Sequence, residues 1–185
     1  MRRLTKRGDV APAFSPDGKH IAFVRGSSIR VIDTATRAQR RLARTRWPPR
    51  QLSWSPDGQR ILFGDAGHVR LLDVATRRVT ILPVGGGDSN YRPVFAPDGR
   101  TIAFLGNRDE RYFRDPEAWG VFLASADGSN VRKVHTGKCG PTSWSPDGNR
   151  LAVQHGHQIA VLDLAADART ALLVRGRNDH ADFRP

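Results

Sequence analysis

Several groups of residues in this 185-residue chain have the chemical types from which sites are built. His155-Gly156-His157 sets two imidazoles close together, but a metal centre needs at least a third ligand and none stands nearby in sequence, so a turn is the expected role. Cys139 is the only cysteine, which removes any internal disulfide and any thiolate pair for a metal and leaves a passive thiol. The aspartates Asp17, Asp57, Asp98 and Asp147 have the chemistry of acid/base groups, yet each occupies the same short context, which points instead to bonding with nearby backbone. Gly85-Gly86-Gly87-Asp88 has the composition of an anion cradle without the following helix that would complete one, and reads as a linker. There is no Gly-x-Ser-x-Gly nucleophile elbow. The expectation is a chain with no catalytic residues, no metal and no cofactor.

What remains are residues that anchor interfaces. The stretch from Asn107 to Ala118 carries Arg111, Tyr112, Phe113 and Arg114, with Trp119 close behind, and Arg46, Trp47, Tyr91, Arg92 and Lys138 stand in segments between apolar runs. Aromatic and arginine side chains dominate the binding energy of protein interfaces, so these form the candidate partner-binding set. Net charge supplies a second candidate: the formal charge is +12, and residues 1 to 50 hold 13 Lys and Arg against three acids while the rest hold 17 against 15. Arg37, Arg40, Arg41, Arg44, Arg46 and Arg50 would suit a nucleic acid or another polyanion. Because 26 of the 30 basic residues are arginine, a solvated arginine-rich surface is the competing reading.

The elements that must position these residues are set by an internal repeat. Ser15-Pro16-Asp17-Gly18 returns as Ser55-Pro56-Asp57-Gly58, Ala96-Pro97-Asp98-Gly99 and Ser145-Pro146-Asp147-Gly148. An aromatic precedes each copy (Phe14, Trp54, Phe95, Trp144), and a β-type triplet follows, such as Ile21-Ala22-Phe23 or Leu151-Ala152-Val153. Proline at the second position and glycine at the fourth suit a type I turn, so each copy predicts a hairpin between two short strands. A third apolar strand and a more polar fourth follow, from Gln39, Val79, Val131 and Thr170 onward. Four-stranded antiparallel units recurring with no helix-length amphipathic segment predict an all-β chain, a β-propeller with four full repeats at about 10–48, 49–89, 90–139 and 140–179 in a single domain over 1–185. Residues 2–5 match an orphan outer strand and 180–185 an orphan inner one.

The pattern aromatic, Ser-Pro-Asp-Gly, two residues, then Ile-Ala-Phe resembles the WD40-like (PD40) repeat of the TolB-like propellers, a repeat also found in propeller domains of prolyl-oligopeptidase-like peptidases. TolB-like propellers have six blades where four are visible here, which leaves a closed four-bladed ring, a partial propeller and self-association of two chains all open. The fold implies a scaffold that binds a protein or peptide through the loop face around residues 107–119. The alternatives are polyanion binding through the basic N-terminal region and an accessory propeller of a hydrolase. No apolar run approaches the ~20 residues of a membrane span. Lys6, Arg7, Gly8 and Asp9 stand where a secretory signal would need an apolar core, so the expected location is the cytoplasm, or the periplasm or exterior if the true start lies upstream.

Overall fold

The computed structural model describes residues 4–5, 8–85, 90–107, 118–137, 139–155, 158–164, 171–174, 176–177 and 180–181. The repeated tetrapeptide forms the turn expected of it. Gly18, Gly58 and Gly148 donate their backbone N–H to the carbonyls of Ser15, Ser55 and Ser145 at 2.9 Å, and Gly99 donates to Ala96 at 3.0 Å. In the serine copies the hydroxyl donates to the aspartate two residues on and accepts the backbone N–H that restarts the chain, as His20 N–H does on Ser15 Oγ at 2.9 Å. The aspartate in turn accepts the N–H of Lys19, Gln59 or Asn149. All four glycines sit at φ between +66° and +73°, a region open to glycine at little cost.

Each turn joins the first two strands of a four-stranded antiparallel sheet whose strands follow in chain order. The first sheet holds β1 (Asp9–Phe14), β2 (His20–Arg25), β3 (Ser28–Asp33) and β4 (Gln39–Arg44). The second holds β5 (Leu52–Trp54), β6 (Arg60–Asp65), β7 (His68–Asp73) and β8 (Val79–Ile81). In the third, β9 (Asn90–Phe95), β10 (Thr101–Asn107), β11 (Trp119–Ser125) and β12 (Arg132–Thr136) pair in order, and in the fourth β13 (Cys139–Trp144), β14 (Arg150–His155), β15 (Gln158–Asp163) and β16 (Ala171–Val174). A two-stranded ribbon of β17 (Gly176–Arg177) and β18 (His180–Ala181) follows, so His180 and Ala181 pair with a neighbour close in sequence. The chain is all-β, four antiparallel blades arranged as a β-propeller. Among the described residues no helix is long and apolar enough to cross a membrane.

The inner blades are apolar on both faces because each is sandwiched between neighbours. Three buried clusters form the core, and each spans two consecutive blades. Ala22, Val24 and Ile29 of the first blade meet Ile61, Phe63 and Leu72 of the second. Leu62 and Val69 of the second meet Phe95, Ile102 and Phe104 of the third. Ala103, Leu105 and Val121 of the third meet Leu151 and Val153 of the fourth. Polar ties reinforce these contacts: Trp54 Nε1 donates to the Ala13 carbonyl at 3.0 Å, and Phe95 N–H donates to Ser53 Oγ at 3.0 Å. The turns also touch. A Cβ added to Gly58, Gly99 or Gly148 would stand 3.7, 3.2 or 3.7 Å from Pro16, Pro56 or Pro97, the proline of the preceding turn, so proline and glycine alternate along one rim.

The two end blades differ from the inner ones at positions the repeat makes equivalent. Phe14, the aromatic that corresponds to Trp54, Phe95 and Trp144, is 65% exposed, whereas Phe95 is 7% exposed. Ile159 corresponds by strand register to Ile29, Val69 and Val121. Those three are fully buried, and Ile159 is 47% exposed. Among the described residues, then, Phe14 on the front face of the first blade and Ile159 on the back face of the fourth lack the cover that their interior counterparts have. On the first blade the Arg25 guanidinium lies over the buried Phe23 ring at 5.3 Å and makes a two-pronged ion pair with Asp9 at 2.7 Å.

Candidate functional site

The rim opposite the proline–glycine turns carries the links between the second and third strands of each blade and the links from blade to blade. A cleft of about 470 Å³ opens there, lined by the link between the first two blades and by residues of the second, third and fourth. The link after β4 supplies Trp47, Pro48, Arg50 and Gln51 to one wall. The end of β6 and its tight turn supply Gly64, Asp65, Ala66 and Gly67, whose small side chains keep the cleft open. Opposite stand Tyr91 and Arg92 of β9, with Leu105 and Cys139 completing the lining.

Asp65 is the residue that builds this wall. It is 6% exposed, and its Oδ1 accepts the Trp47 N–H at 3.0 Å while Oδ2 accepts the Arg46 N–H at 3.4 Å and faces Arg70 Nε at 3.4 Å. One buried carboxylate thereby fixes the link between the first two blades and presents Trp47, 59% exposed, at the mouth of the cleft. Across from it, β9 bulges: its register against β10 shifts between the Ala103 and Leu105 pairings, and Arg92, in the bulge, takes φ +52°. A bulge re-aims the side chain it carries, here bringing Arg92 to the cleft. Tyr91 stacks on Trp119 at 6.2 Å between ring centroids and 17° between planes. Trp119 pairs with Asn107 at the root of the long third-blade insertion, so the insertion springs from beside this wall.

The chemistry available is that of recognition. Burial pushes the Cys139 thiol up to about 11, which keeps it protonated near neutral pH, and its Sγ–H points to the Gly137 carbonyl at 3.2 Å. The turn aspartates are occupied on the other rim. The Ser15, Ser55 and Ser145 hydroxyls first, and the following backbone N–H groups next, hold Asp17, Asp57 and Asp147 below the usual carboxylate range. For Asp98, which has Ala96 in place of the serine, burial pushes upward but is outweighed by the N–H groups of Thr101 and Arg100 and the Thr101 hydroxyl, and the net direction is down. Among the described residues no group of three His, Cys, Asp or Glu could hold a metal ion.

Of the residues singled out from sequence, the structure brings Trp47, Tyr91 and Arg92 to one cleft, with Trp119 stacked behind Tyr91. Arg46 contributes its backbone N–H to Asp65, and its side chain is exposed. Arg111, Tyr112, Phe113, Arg114 and Lys138 lie outside the described residues, as do Gly156 and His157 of the histidine pair. The N-terminal arginines do not converge: Arg37 stands in the turn after β3 on the proline–glycine rim, Arg40, Arg41 and Arg44 follow along β4, and Arg46 and Arg50 reach the opposite rim. Asp65 and Gln51 were missed, and Arg50 was singled out only for the polyanion reading. The signal for Asp65 was present, an acid closing an otherwise apolar strand beside a two-residue Ala66-Gly67 turn.

No family model and no curated protein matches the sequence. Solved structures do. TolB from Acinetobacter baumannii superposes with a TM-score of 0.69 at 19% identity over 90% of this chain, and a TolB of Agrobacterium tumefaciens with 0.73 at 20% over 88%. The fold is that of a TolB-like β-propeller. A chain of a nidogen–laminin complex matches with a TM-score of 0.75 at 16% identity over 91%, and one of Kuenenia stuttgartiensis hydrazine synthase with 0.65 at 20% over 85%. This TolB-like chain spans 43% and 63% of the two TolB chains, 65% of the nidogen–laminin chain and 54% of the hydrazine synthase chain.

Proposed function

We propose that this propeller is a non-catalytic scaffold that captures a protein or peptide partner through the rim bearing the Trp47–Tyr91 cleft and the third-blade insertion. The observation that carries the reading is the convergence of Trp47, Tyr91 and Arg92 on one open cleft, with the backbone that bears the exposed Trp47 fixed by a buried carboxylate. An exposed aromatic that the fold pre-positions binds at low entropic cost, which is what an interface anchor requires. A cleft of this volume falls within the ~300–1,000 Å³ typical of specific ligand sites. The match to a chain of a nidogen–laminin complex agrees with such a role, since that chain is part of a protein–protein assembly. Against catalysis stands the state of the nucleophile and acid candidates: a protonated half-buried thiol and aspartates engaged by their own turns.

The test is selection of peptides from a displayed random library on the immobilised wild-type propeller, with Trp47→Ala and Tyr112→Ala as counter-selections. Peptides that bind wild type and lose binding to Trp47→Ala, with the variant's thermal melt unchanged, support the reading. A library that yields no binder, or binders indifferent to Trp47, overturns it. Loss through Tyr112→Ala as well, again with folding intact, would extend the surface onto the insertion, whereas an unfolded Tyr112→Ala would assign that residue to holding the loop.

A further inference from the structure

The charge lining the cleft is mainly of one sign. Two guanidiniums, Arg50 and Arg92, line it, and neither forms an ion pair among the described residues. Among the described residues Asp65 is the sole acid in the lining, and its carboxylate is already committed to the Arg46 and Trp47 backbone N–H groups and to Arg70. Among the described residues the cleft therefore offers two cations without an ion-pair partner beside an apolar surface made by Trp47, Pro48, Tyr91 and Leu105. Arg92 sits at a strained backbone position, φ +52°, that a residue other than glycine occupies at some cost, and the bulge aims it inward.

Resting on the peptide-scaffold reading, we infer that the cleft selects an acidic peptide segment. It would take an extended stretch with an Asp or Glu carboxylate, or a C-terminal carboxylate, between Arg50 and Arg92, and an adjacent apolar side chain against Trp47 and Tyr91. Guanidinium is the cation suited to this, because its planar fork can give two parallel hydrogen bonds to one carboxylate. The volume of about 470 Å³ admits two or three residues, enough for one carboxylate and one apolar neighbour. A lysine- or arginine-bearing segment would meet repulsion from both guanidiniums and no free acid in the lining to offset it.

The experiment is fluorescence anisotropy of three labelled hexapeptide pools with the same apolar residues, one fixed with Asp and Glu, one with Asn and Gln, one with Lys and Arg. The acidic pool is expected to bind about tenfold more tightly than the neutral pool, as hydrogen bonds to a charged group warrant, and the basic pool not at all. Arg92→Gln and Arg50→Gln should each reduce acidic-pool affinity about tenfold while leaving neutral-pool binding and the thermal melt unchanged, and added salt should weaken only the acidic pool. Arg50 is exposed, so its variant reports on charge even if Arg92→Gln disturbs the bulge. Equal binding of acidic and neutral pools that depends on Trp47 overturns the selectivity and leaves the scaffold reading in place. Failure of every pool to bind, or binding that survives Trp47→Ala, overturns both.

Discussion

At the scale of single residues, the repeated aspartates show how one side chain serves a turn instead of a reaction. Asp57 is held below the usual carboxylate range first by the Ser55 hydroxyl and then by the Gln59 N–H. A group whose folded pKa is depressed stabilises the fold fully above its unfolded value of about 3.9, and that contribution disappears as pH falls through the lower folded value. Ser55 is fully buried, so Ser55→Ala should cost about 1 kcal/mol at pH 7. The gap between wild type and variant should shrink below about pH 4, read from urea unfolding at a series of pH values. A gap that stays constant into acid would show that Asp57 is not the partner that matters. Cys139 makes a second prediction. Raising its thiol from 9.0 to about 11 cuts the thiolate fraction about 100-fold at neutral pH, so iodoacetamide should label the folded protein far more slowly than the urea-unfolded chain at pH 8.

At the scale of strands and turns, the repeat was legible because its residues act locally. Ser15-Pro16-Asp17-Gly18 and its copies encode their own hydrogen bonds, and the apolar triplets after them encode burial on both faces. Trp47 and Arg92 could be nominated from residue type and position between blades. Asp65 stood out only as an acid closing an apolar strand; its anchoring role did not, since its partners are backbone N–H groups 18 and 19 residues away and no spacing rule announces them. The bulge at Arg92 was equally silent, being a property of how β9 pairs with β10. Turn chemistry also makes a sharp prediction here. Gly99 has φ +66°, and an added Cβ would stand 3.2 Å from Pro56, so Gly99→Ala should destabilise by about 1 kcal/mol or more, seen as a lowered Tm.

On the scale of the whole molecule, stability should depend on where in the row of blades a residue lies. Phe95 and Phe14 are the same amino acid at the same repeat position, one 7% and the other 65% exposed. Phe95→Ala should cost about 3–5 kcal/mol in chemical unfolding, and Phe14→Ala less than about 1. Similar costs for both would mean that a further surface covers Phe14 in solution. Exposed apolar faces at both ends also favour association, so light scattering should show the mass rising with concentration, and Phe14→Ser should reduce that rise. A monodisperse monomer indifferent to Phe14→Ser would show these faces to be inert.

The alternation of Pro16, Gly58, Pro56, Gly99, Pro97 and Gly148 along one rim has a genetic consequence. Each tetrapeptide carries a knob, its proline, and a hollow, its glycine, and at Gly58, Gly99 and Gly148 the hollow faces the knob of the neighbour before it. A duplicated stretch of coding sequence one repeat long therefore arrives with both mating parts, fits beside its parent without any new contact having to be selected, and hands on an identical hollow and knob to the next copy. Growth and loss by whole blades are thus the steps this architecture accommodates most readily, while an insertion that breaks the tetrapeptide would spoil two joints at once. The ends of the long segment between Asn107 and Trp119 pair at the other rim, away from these joints.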